Sequence, residues 1–360
     1  MSWNLFLRKF DWVLLVLALA IMILAMLTFY QAEAKWGHIV EKQFYFILIG
    51  IGLTLAVSLF DYRIFKNYSI ASIIPYVISI VLLLVTFISL PVHGSKSWIF
   101  LAGTGFQPSE FAKLVLLILL AKYFSQKHVE IYRAHHILAS GVYAGVPAIL
   151  TLFQPDFGSM MIFVALWLGM LFFAGIKRKH LLAILMIGVV AMSFAWFLVF
   201  KPYQRDRIIS FANPYIDPRG IGYNTIQAQT TFGSGQVSGV FFNRGDQKIS
   251  VLVPEPYTDF AFATYGQKFG LIGVFLLISL IIALIFRIGS IVLKTNNNFS
   301  KLFGLGLITI ITVHVFMNAG MNLGILPITG IPFSFLSYGG SHLITLMIGL
   351  GLVESIKLRG

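Results

Sequence analysis

Three acidic residues stand where long apolar stretches meet polar sequence, and their setting suits acid–base chemistry. Glu110 precedes Lys113 by three positions, so both side chains lie on one face of a helix. Asp156 lies in a short turn, and Asp259 lies where a polar stretch returns to apolar sequence. A carboxylate that is partly desolvated and faces a cavity has the environment of a general base. These positions are therefore candidates for catalysis or substrate binding.

Each of these residues also has a simpler interpretation. Glu110 and Lys113 could form a neutralising ion pair that only orients their helix, or they could line an outward-facing polar cavity and hold a substrate. Asp156 could be an ordinary N-cap of the following helix, and Asp259 could be a cap as well. The residue types alone leave these alternatives open.

Cations and one tryptophan accompany the acids. Arg205 and Arg207 follow Lys201 in a long polar connection, and arginine is the preferred side chain for bidentate contacts with phosphate. The alternative is a basic cluster that rests on anionic lipid headgroups. Trp98 lies in Gly94-Ser-Lys-Ser-Trp98, where it could equally be an interfacial belt residue.

Two histidines, His314 and His342, stand alone in apolar segments. No carboxylate or second histidine lies at the spacing of a helical metal site. We therefore interpret both as core histidines with satisfied hydrogen bonds, and the sequence identifies no metal ligands.

The composition shows what must position these residues. The chain has 360 residues, of which 58% are hydrophobic and 11% charged, whereas an average soluble domain has roughly 25% charged residues. Its mean hydropathy is +0.88. Lipid must be the solvent for much of such a surface. Cysteine is absent, which excludes disulfides, thiolate metal sites and a cysteine nucleophile.

The apolar segments predict an all-α membrane protein with about ten spanning helices, because a span needs about 20 apolar residues. The first segment is too long for a cleavable signal peptide and no small-residue cleavage site follows it, so we count it as a span. The fourth segment has the shortest uninterrupted apolar run. The predicted spans are 12–30, 44–60, 70–90, 109–124, 137–153, 158–176, 180–200, 260–286, 302–325 and 338–356.

The cations predict the orientation of these spans. With the N-terminus in the cytoplasm, the inner segments carry Arg8, Lys9, Arg63, Lys66, Lys122, Lys127, Arg133, Lys177, Arg178, Lys179, Arg287, Lys294, Lys301, Lys357 and Arg359. The short outer loops carry only Lys35, Lys42 and Lys96. This bias follows the positive-inside rule, and an even number of spans returns the C-terminus to the cytoplasm. The net charge of +13 thus mostly reflects the cations of the inner segments, and no nucleic-acid partner is expected.

Two stretches interrupt the pattern of spans and short connections. Residues 201–257 form one long extracytoplasmic loop between spans seven and eight, within a single domain 1–360. Residues 326–341 are rich in glycine and proline and cannot form a regular helix, so we predict a re-entrant wall of a cavity. The acids, the arginines, Trp98 and Ser337 all map to the outer side. One polar site of acids and cations inside a membrane protein suits a phosphorylated lipid.

These strings resemble the SEDS family, the RodA, FtsW and SpoVE group of cell-wall proteins, over nearly the whole chain. Each string alone is weak evidence for the family, whereas all of them in this order on ten spans are specific to it. They are Gly94–Trp98, Gln107–Lys113, Gln154–Gly158, Gln204–Arg207, Gly222–Asn224, Pro254–Glu255, Thr258–Phe260, Leu326–Gly330 and Ser337–Ser341.

The resemblance implies a peptidoglycan glycosyltransferase that polymerises lipid II outside the cytoplasmic (inner) membrane and extends a growing glycan. It further implies a class B penicillin-binding protein as the transpeptidase partner, and a divalent cation such as Mg²⁺. By position, Asp259 matches the family's essential loop aspartate and is the expected catalytic residue. The expected substrate-binding residues are Trp98, Gln107, Glu110, Lys113, Gln154, Asp156, Arg205, Arg207 and Ser337.

The chain departs from the family pattern at a few positions. Ser97 stands where many members have arginine, and Gln267 and Lys268 replace acidic residues, which puts an accessory carboxylate there in doubt. The short N-terminal tail favours an elongation-type, RodA-like member that works with the elongation machinery. The alternatives are a division-type, FtsW-like member and, from another class, a lipid II flippase. A flippase needs a polar path to both faces, whereas these charges map to one.

Overall fold

The computed structural model describes residues 7–30, 37–91, 94–101, 104–127, 134–198, 205–206, 209, 211–220, 222–240 and 253–360. Helices make up most of this part of the chain, with one short β-hairpin and two 3₁₀ turns at Thr86–Ile88 and Pro214–Ile216. The hairpin pairs β1 (Ile99–Leu101) with β2 (Thr104–Phe106) in antiparallel register. The all-α prediction is confirmed.

Twelve helices are numbered here in chain order within the described ranges. They are α1 (Trp12–Phe29), α2 (Gly37–Leu59), α3 (Arg63–Asn67), α4 (Ser69–Val85), α5 (Pro108–Lys127), α6 (Ala134–Phe153), α7 (Phe157–Phe173), α8 (Arg178–Leu198), α9 (Tyr223–Ser234), α10 (Ala261–Val292), α11 (Asn298–Asn322) and α12 (Gly340–Arg359). All except α3 and α9 overlap one predicted span each. The α9 helix lies inside the long loop and was not predicted.

Seven of the described helices are long and apolar enough to cross a membrane by length and composition, and α7 is a shorter apolar helix. The α5 helix carries Glu110, Lys113 and Lys122, which explains its short apolar run. It packs against α4, α6, α7, α11 and α12, and every residue from Leu114 to Ala121 is buried. Protein rather than lipid therefore surrounds the charged residues of α5.

The end of the bundle at which α1 begins is held by one aspartate, Asp11. Asp11 caps α1 by accepting from the backbone N–H of Leu14 at 3.1 Å, and it also accepts hydrogen bonds from Arg287 of α10 and Lys357 of α12. Burial raises the pKa of Asp11, but these two cations outweigh burial and hold the pKa below its ordinary value. Three helix ends thus meet at one carboxylate.

The α10 helix bends at Gly270, whose φ of 64° and ψ of −167° only glycine adopts readily. The turn that follows α9 packs into the bend. The backbone N–H groups of Leu271 and Ile272 donate to the carbonyls of Gln236 and Val237 at 3.0 and 3.2 Å. The N-terminal part of α10 and the α9 segment are therefore joined through backbone groups.

Replacing Gly270 by alanine is expected to lower the free energy of unfolding by about 2–3 kcal/mol, because the backbone conformation is costly for other residues. In addition, a Cβ at this position would lie 2.4 Å from the backbone nitrogen of Gly239. Thermal unfolding of purified protein in detergent measures this loss.

The matched control is Gly52→Ala in α2, where an added Cβ meets no atom within 4 Å. Alanine in a helix interior is about 0.5–1 kcal/mol better than glycine, so this variant should be at least as stable as the parent protein. Equal unfolding temperatures for the two variants would contradict the assigned role of the bend.

Candidate active site

The candidate active site is built around Asp259, which lies one residue before the N-cap of α10. Its side chain is half-buried. The side-chain amides of Asn318 and Asn322 donate to its backbone carbonyl at 2.9 and 3.0 Å. A Cβ built on Gly330 would lie 3.5 Å from Asp259 Oδ2, so the carboxylate lies beside the glycine- and proline-rich segment. The aspartate is thus partly open and attached to two other elements.

Residues 326–339 form the non-helical segment predicted from the sequence, here named the 326–339 wall. Ser337 Oγ donates to the carbonyl of Thr258 at 2.7 Å and accepts from the N–H of Phe333 at 2.8 Å. The N–H of Tyr338 donates to the carbonyl of Tyr257 at 2.6 Å. The wall therefore runs alongside the three residues that end in Asp259.

Phe335, in the middle of this wall, has a φ of 64° and is buried. A bulky residue in the left-handed region is strained, and such strain persists only where the surroundings fix the backbone. The hydrogen bonds of Ser337 supply that fixation at the end of the same turn.

A second carboxylate, Asp156, lies at the N-terminus of α7. One oxygen accepts from the N–H of Ser159 at 2.9 Å, which confirms the cap interpretation. The other oxygen accepts from Gln107 Nε2 at 3.3 Å, and the Gln107 backbone N–H donates to Ser341 Oγ at 3.0 Å. Asp156 and Gln107 are therefore brought together, both partly exposed, where the first turns of α5, α7 and α12 meet.

Glu110 and Lys113 form the predicted ion pair, with Lys113 Nζ 2.7 Å from Glu110 Oε1. Both side chains are only 2–3% exposed. His342 Nδ1 lies 2.8 Å from the second carboxylate oxygen, and His314 Nε2 lies 3.4 Å from Lys113 Nζ. The pair is thus enclosed by two histidines, which favours an orienting role over direct contact with a substrate in this structure.

Burial confirms His314 and His342 as core residues, but the view that each stands alone is wrong, and Nε2 of His342 has no hydrogen-bond partner among the described residues. Their rings stack with centroids 4.3 Å apart, and with Glu110 they present ligand-type atoms within 4.8 Å of one another. The sequence argument examined spacing along one helix, whereas these residues come from α5, α11 and α12. We name Glu110, Lys113, His314 and His342 the buried quartet.

The hydrogen-bond partners determine the protons of the buried quartet. His314 Nδ1 faces the carbonyl of Pro332 at 3.0 Å, so this nitrogen carries the proton and Nε2 can accept from Lys113. His342 Nδ1 likewise donates to Glu110.

The buried quartet does not fit Mg²⁺, which prefers oxygen ligands in an octahedral arrangement. It offers one carboxylate and two imidazoles, and the ammonium group of Lys113 already lies 2.7 Å from the carboxylate. The partly exposed Asp156 is a better donor for this ion, because Mg²⁺ is commonly held by one or two carboxylates together with substrate phosphates.

The remaining predicted residues have other neighbours. Gln154 is buried, and its side chain donates to the carbonyl of Leu83 at 2.7 Å, so it joins the outer ends of α6 and α4. Trp98 is partly exposed and lies over Gly105 of the β-hairpin. Arg205 donates to the carbonyl of Phe197 in α8 at 3.2 Å. Arg207 and Lys201 lie outside the described residues.

Sequence reasoning missed Asn318 and Asn322. Together with His314 they recur every four residues along α11, which places all three on one helix face. All three side chains are fully buried. Polar residues at this spacing in an apolar helix were the signal that could have identified them.

Comparison with known proteins places the chain in a family. Residues 7–359 match the family model described as cell cycle protein, which comprises FtsW, RodA and SpoVE. The chain belongs to this family. The SEDS membership expected from the sequence strings is therefore confirmed.

Two curated members of the family match along most of their length. Stage V sporulation protein E of Bacillus subtilis is 30% identical over 357 residues, which cover 96% of each chain. Peptidoglycan glycosyltransferase MrdB of Escherichia coli is 31% identical over 349 residues, covering 96% of this chain and 93% of that protein.

Solved structures share the architecture. A chain from a peptidoglycan synthase complex, studied for its coordination of polymerization and crosslinking, matches with a TM-score of 0.83 and 28% identity over 97% of both chains. Rod shape determining protein RodA of Thermus thermophilus matches with a TM-score of 0.72 and 26% identity, covering 97% of this chain and 96% of that one. This similarity supports the multi-pass membrane architecture.

Breaking the buried ion pair should be costly. Glu110→Gln leaves Lys113 as a buried charge without its carboxylate, and removing one partner of a buried pair costs about 3–5 kcal/mol. Replacing both residues, as Glu110→Gln with Lys113→Met, removes the uncompensated charge and should recover much of the loss. Thermal unfolding in detergent or nanodiscs measures both variants.

Lys96→Met is the control, since Lys96 is exposed and should change stability little. A double variant that is less stable than Glu110→Gln alone would rule out charge compensation as the reason for the pair.

Proposed function

We propose that this protein is a peptidoglycan glycosyltransferase that polymerises lipid II at the outer end of its helical bundle. The observation that carries the proposal is the placement of Asp259. Its side chain is half-buried, its backbone carbonyl accepts from α11, and the carbonyl of the preceding Thr258 accepts from the 326–339 wall. Relatives in Geobacter and Escherichia coli are named probable peptidoglycan glycosyltransferase FtsW and peptidoglycan glycosyltransferase MrdB. A partly exposed acid that is held in place suits a general base.

In the proposed reaction, the growing glycan is bound through its pyrophosphate-linked reducing end, and an incoming lipid II supplies the sugar 4-hydroxyl. Asp259 accepts the hydroxyl proton as the oxygen attacks the anomeric carbon. The bond from that carbon to the phosphate oxygen breaks, and its electron pair leaves with undecaprenyl pyrophosphate. Attack opposite the leaving group inverts the α-phosphate linkage to a β-1,4 glycosidic bond.

The leaving pyrophosphate needs positive charge nearby. Arg205 and Arg207 of the long loop are our candidates, because guanidinium groups bind phosphate oxygens in pairs. Lys113 was expected to bind substrate as well. Its burial in the quartet favours a role in orienting α5 instead. A bound Mg²⁺ would neutralise part of the pyrophosphate charge. It would be held by the substrate phosphates and a carboxylate other than the general base, for which the partly exposed Asp156 is our candidate.

The setting of the reaction is also proposed. On the bias of cations, we propose that both termini lie in the cytoplasm and that Asp259 lies on the outer side of the inner membrane. A class B penicillin-binding protein would crosslink the glycan, in keeping with the similarity to a chain of a peptidoglycan synthase complex.

Asp259→Asn removes the base while keeping the size of the side chain. General-base catalysis contributes about 10²–10⁴-fold, so glycan synthesis should fall by that factor. The measurement is polymerisation of purified lipid II by the purified protein, with and without the cognate transpeptidase, resolved by chain length on gels.

The matched control is Asp217→Asn, which makes the same chemical change at an exposed position of the 201–257 loop. Asparagine keeps the oxygen that accepts from the N–H of Gly220 at 2.9 Å, so activity should be retained. Near-normal glycan synthesis by Asp259→Asn would remove Asp259 from the mechanism.

A further inference from the structure

We propose that Asn318 and Asn322 of α11 are positioning residues that set the location of the catalytic carboxylate. The inference rests on the proposed function, since it concerns how Asp259 is presented to the substrate. Both asparagines are fully buried, and both donate to the backbone carbonyl of Asp259. One carbonyl therefore receives two side-chain amides from consecutive turns of one helix.

The hydrogen bonds of Asn318 account for both of its amide protons. Nδ2 donates to the carbonyl of Asp259 at 2.9 Å and to the carbonyl of Ile331 at 2.7 Å. Ile331 belongs to the 326–339 wall and follows Gly330, the residue beside the Asp259 carboxylate. A single amide thus fixes the distance between the segment that carries Asp259 and the 326–339 wall.

Asn322 attaches the segment that carries Asp259 to the start of α10. Its Oδ1 accepts from the backbone N–H of Ala263 at 3.1 Å. This N–H belongs to the first turn of α10, where backbone donors have no partner within the helix. The N-cap residue, Phe260, has no acceptor in its side chain. Asn322 therefore caps α10 from another helix while its amide holds Asp259.

Burial makes these contacts specific rather than incidental. A buried amide or carbonyl without a partner costs about 1–3 kcal/mol, so each group strongly prefers the arrangement seen here. The α11 helix is packed mainly against α5, α7 and α10, and it also contacts α9 of the long loop. Asp259, which follows an irregular segment, takes its position from this rigid helix.

A positioning role and a purely structural role predict different kinetics. If Asn318 acts through Asp259, Asn318→Ala should lower kcat about tenfold to a hundredfold, as expected for a misplaced catalytic group, and leave KM within about twofold. Asn318→Asp should be more severe, because a carboxylate of the same shape would face two carbonyl oxygens. Lipid II polymerisation rates measured against substrate concentration give both constants.

A double-mutant cycle gives the second readout. In protein that already carries Asp259→Asn, adding Asn318→Ala should reduce the residual rate by less than about twofold, because the group being positioned is gone. Independent, multiplicative losses would overturn the inference.

Two further variants keep the test decisive. Asn322→Asp keeps the oxygen that caps α10 but places a second oxygen against the carbonyls of Asp259 and Asn318. It should lower kcat and, like Asn318→Asp, also lower the unfolding temperature. Thr54→Val is the control for an ordinary buried hydrogen bond, since Thr54 Oγ1 donates to the carbonyl of Met347 at 2.9 Å between α2 and α12. Its kcat should be unchanged.

The outcomes separate the two levels of the proposal. A parent protein that makes no glycan from lipid II, alone or with its transpeptidase, would overturn the proposed function. An active parent whose Asn318→Ala and Asn322→Asp variants keep full kcat would overturn the positioning role only.

Discussion

Buried backbone outside regular helices needs hydrogen-bond partners, and this requirement organises the end of the bundle that carries Asp259. The 326–339 wall and the segment before α10 cannot satisfy their carbonyls within a helix, and lipid offers no donor. Donors come from His314, Asn318 and Asn322, which form one face of α11. His314 is also a member of the buried quartet. The quartet and the segment that carries Asp259 are therefore both attached to α11.

The placement of charge follows the same requirement. The ion pair of α5 is tolerated in the centre of the bundle because two histidines occupy its remaining hydrogen-bonding positions. The backbone carbonyl of Asp259, in contrast, is held by α11, and its side chain stays partly exposed. The structure thus separates a sealed polar cluster, suited to rigidity, from a partly open carboxylate, suited to proton transfer.

The sequence predicted the long helices well, because an apolar run of sufficient length has few alternatives in lipid. It also predicted the non-helical wall from its prolines and glycines. It could not predict that Gln154 and Ser337 bind the carbonyls of Leu83 and Thr258, because main-chain acceptors have no sequence signature. The quartet was missed because its members come from three helices. The α9 helix was missed because its loop lacks apolar periodicity.

The joint between α9 and α10 has a consequence for interpreting genetics. Added side-chain carbons at Gly235, Gly239 or Gly270 would each lie within 2.5 Å of backbone atoms of the opposite segment. A saturation screen for growth would therefore score these positions as intolerant, although a glycine carries no reactive group. Essentiality in this loop reports steric exclusion as much as chemistry, and protein abundance must be measured beside phenotype to tell the two apart.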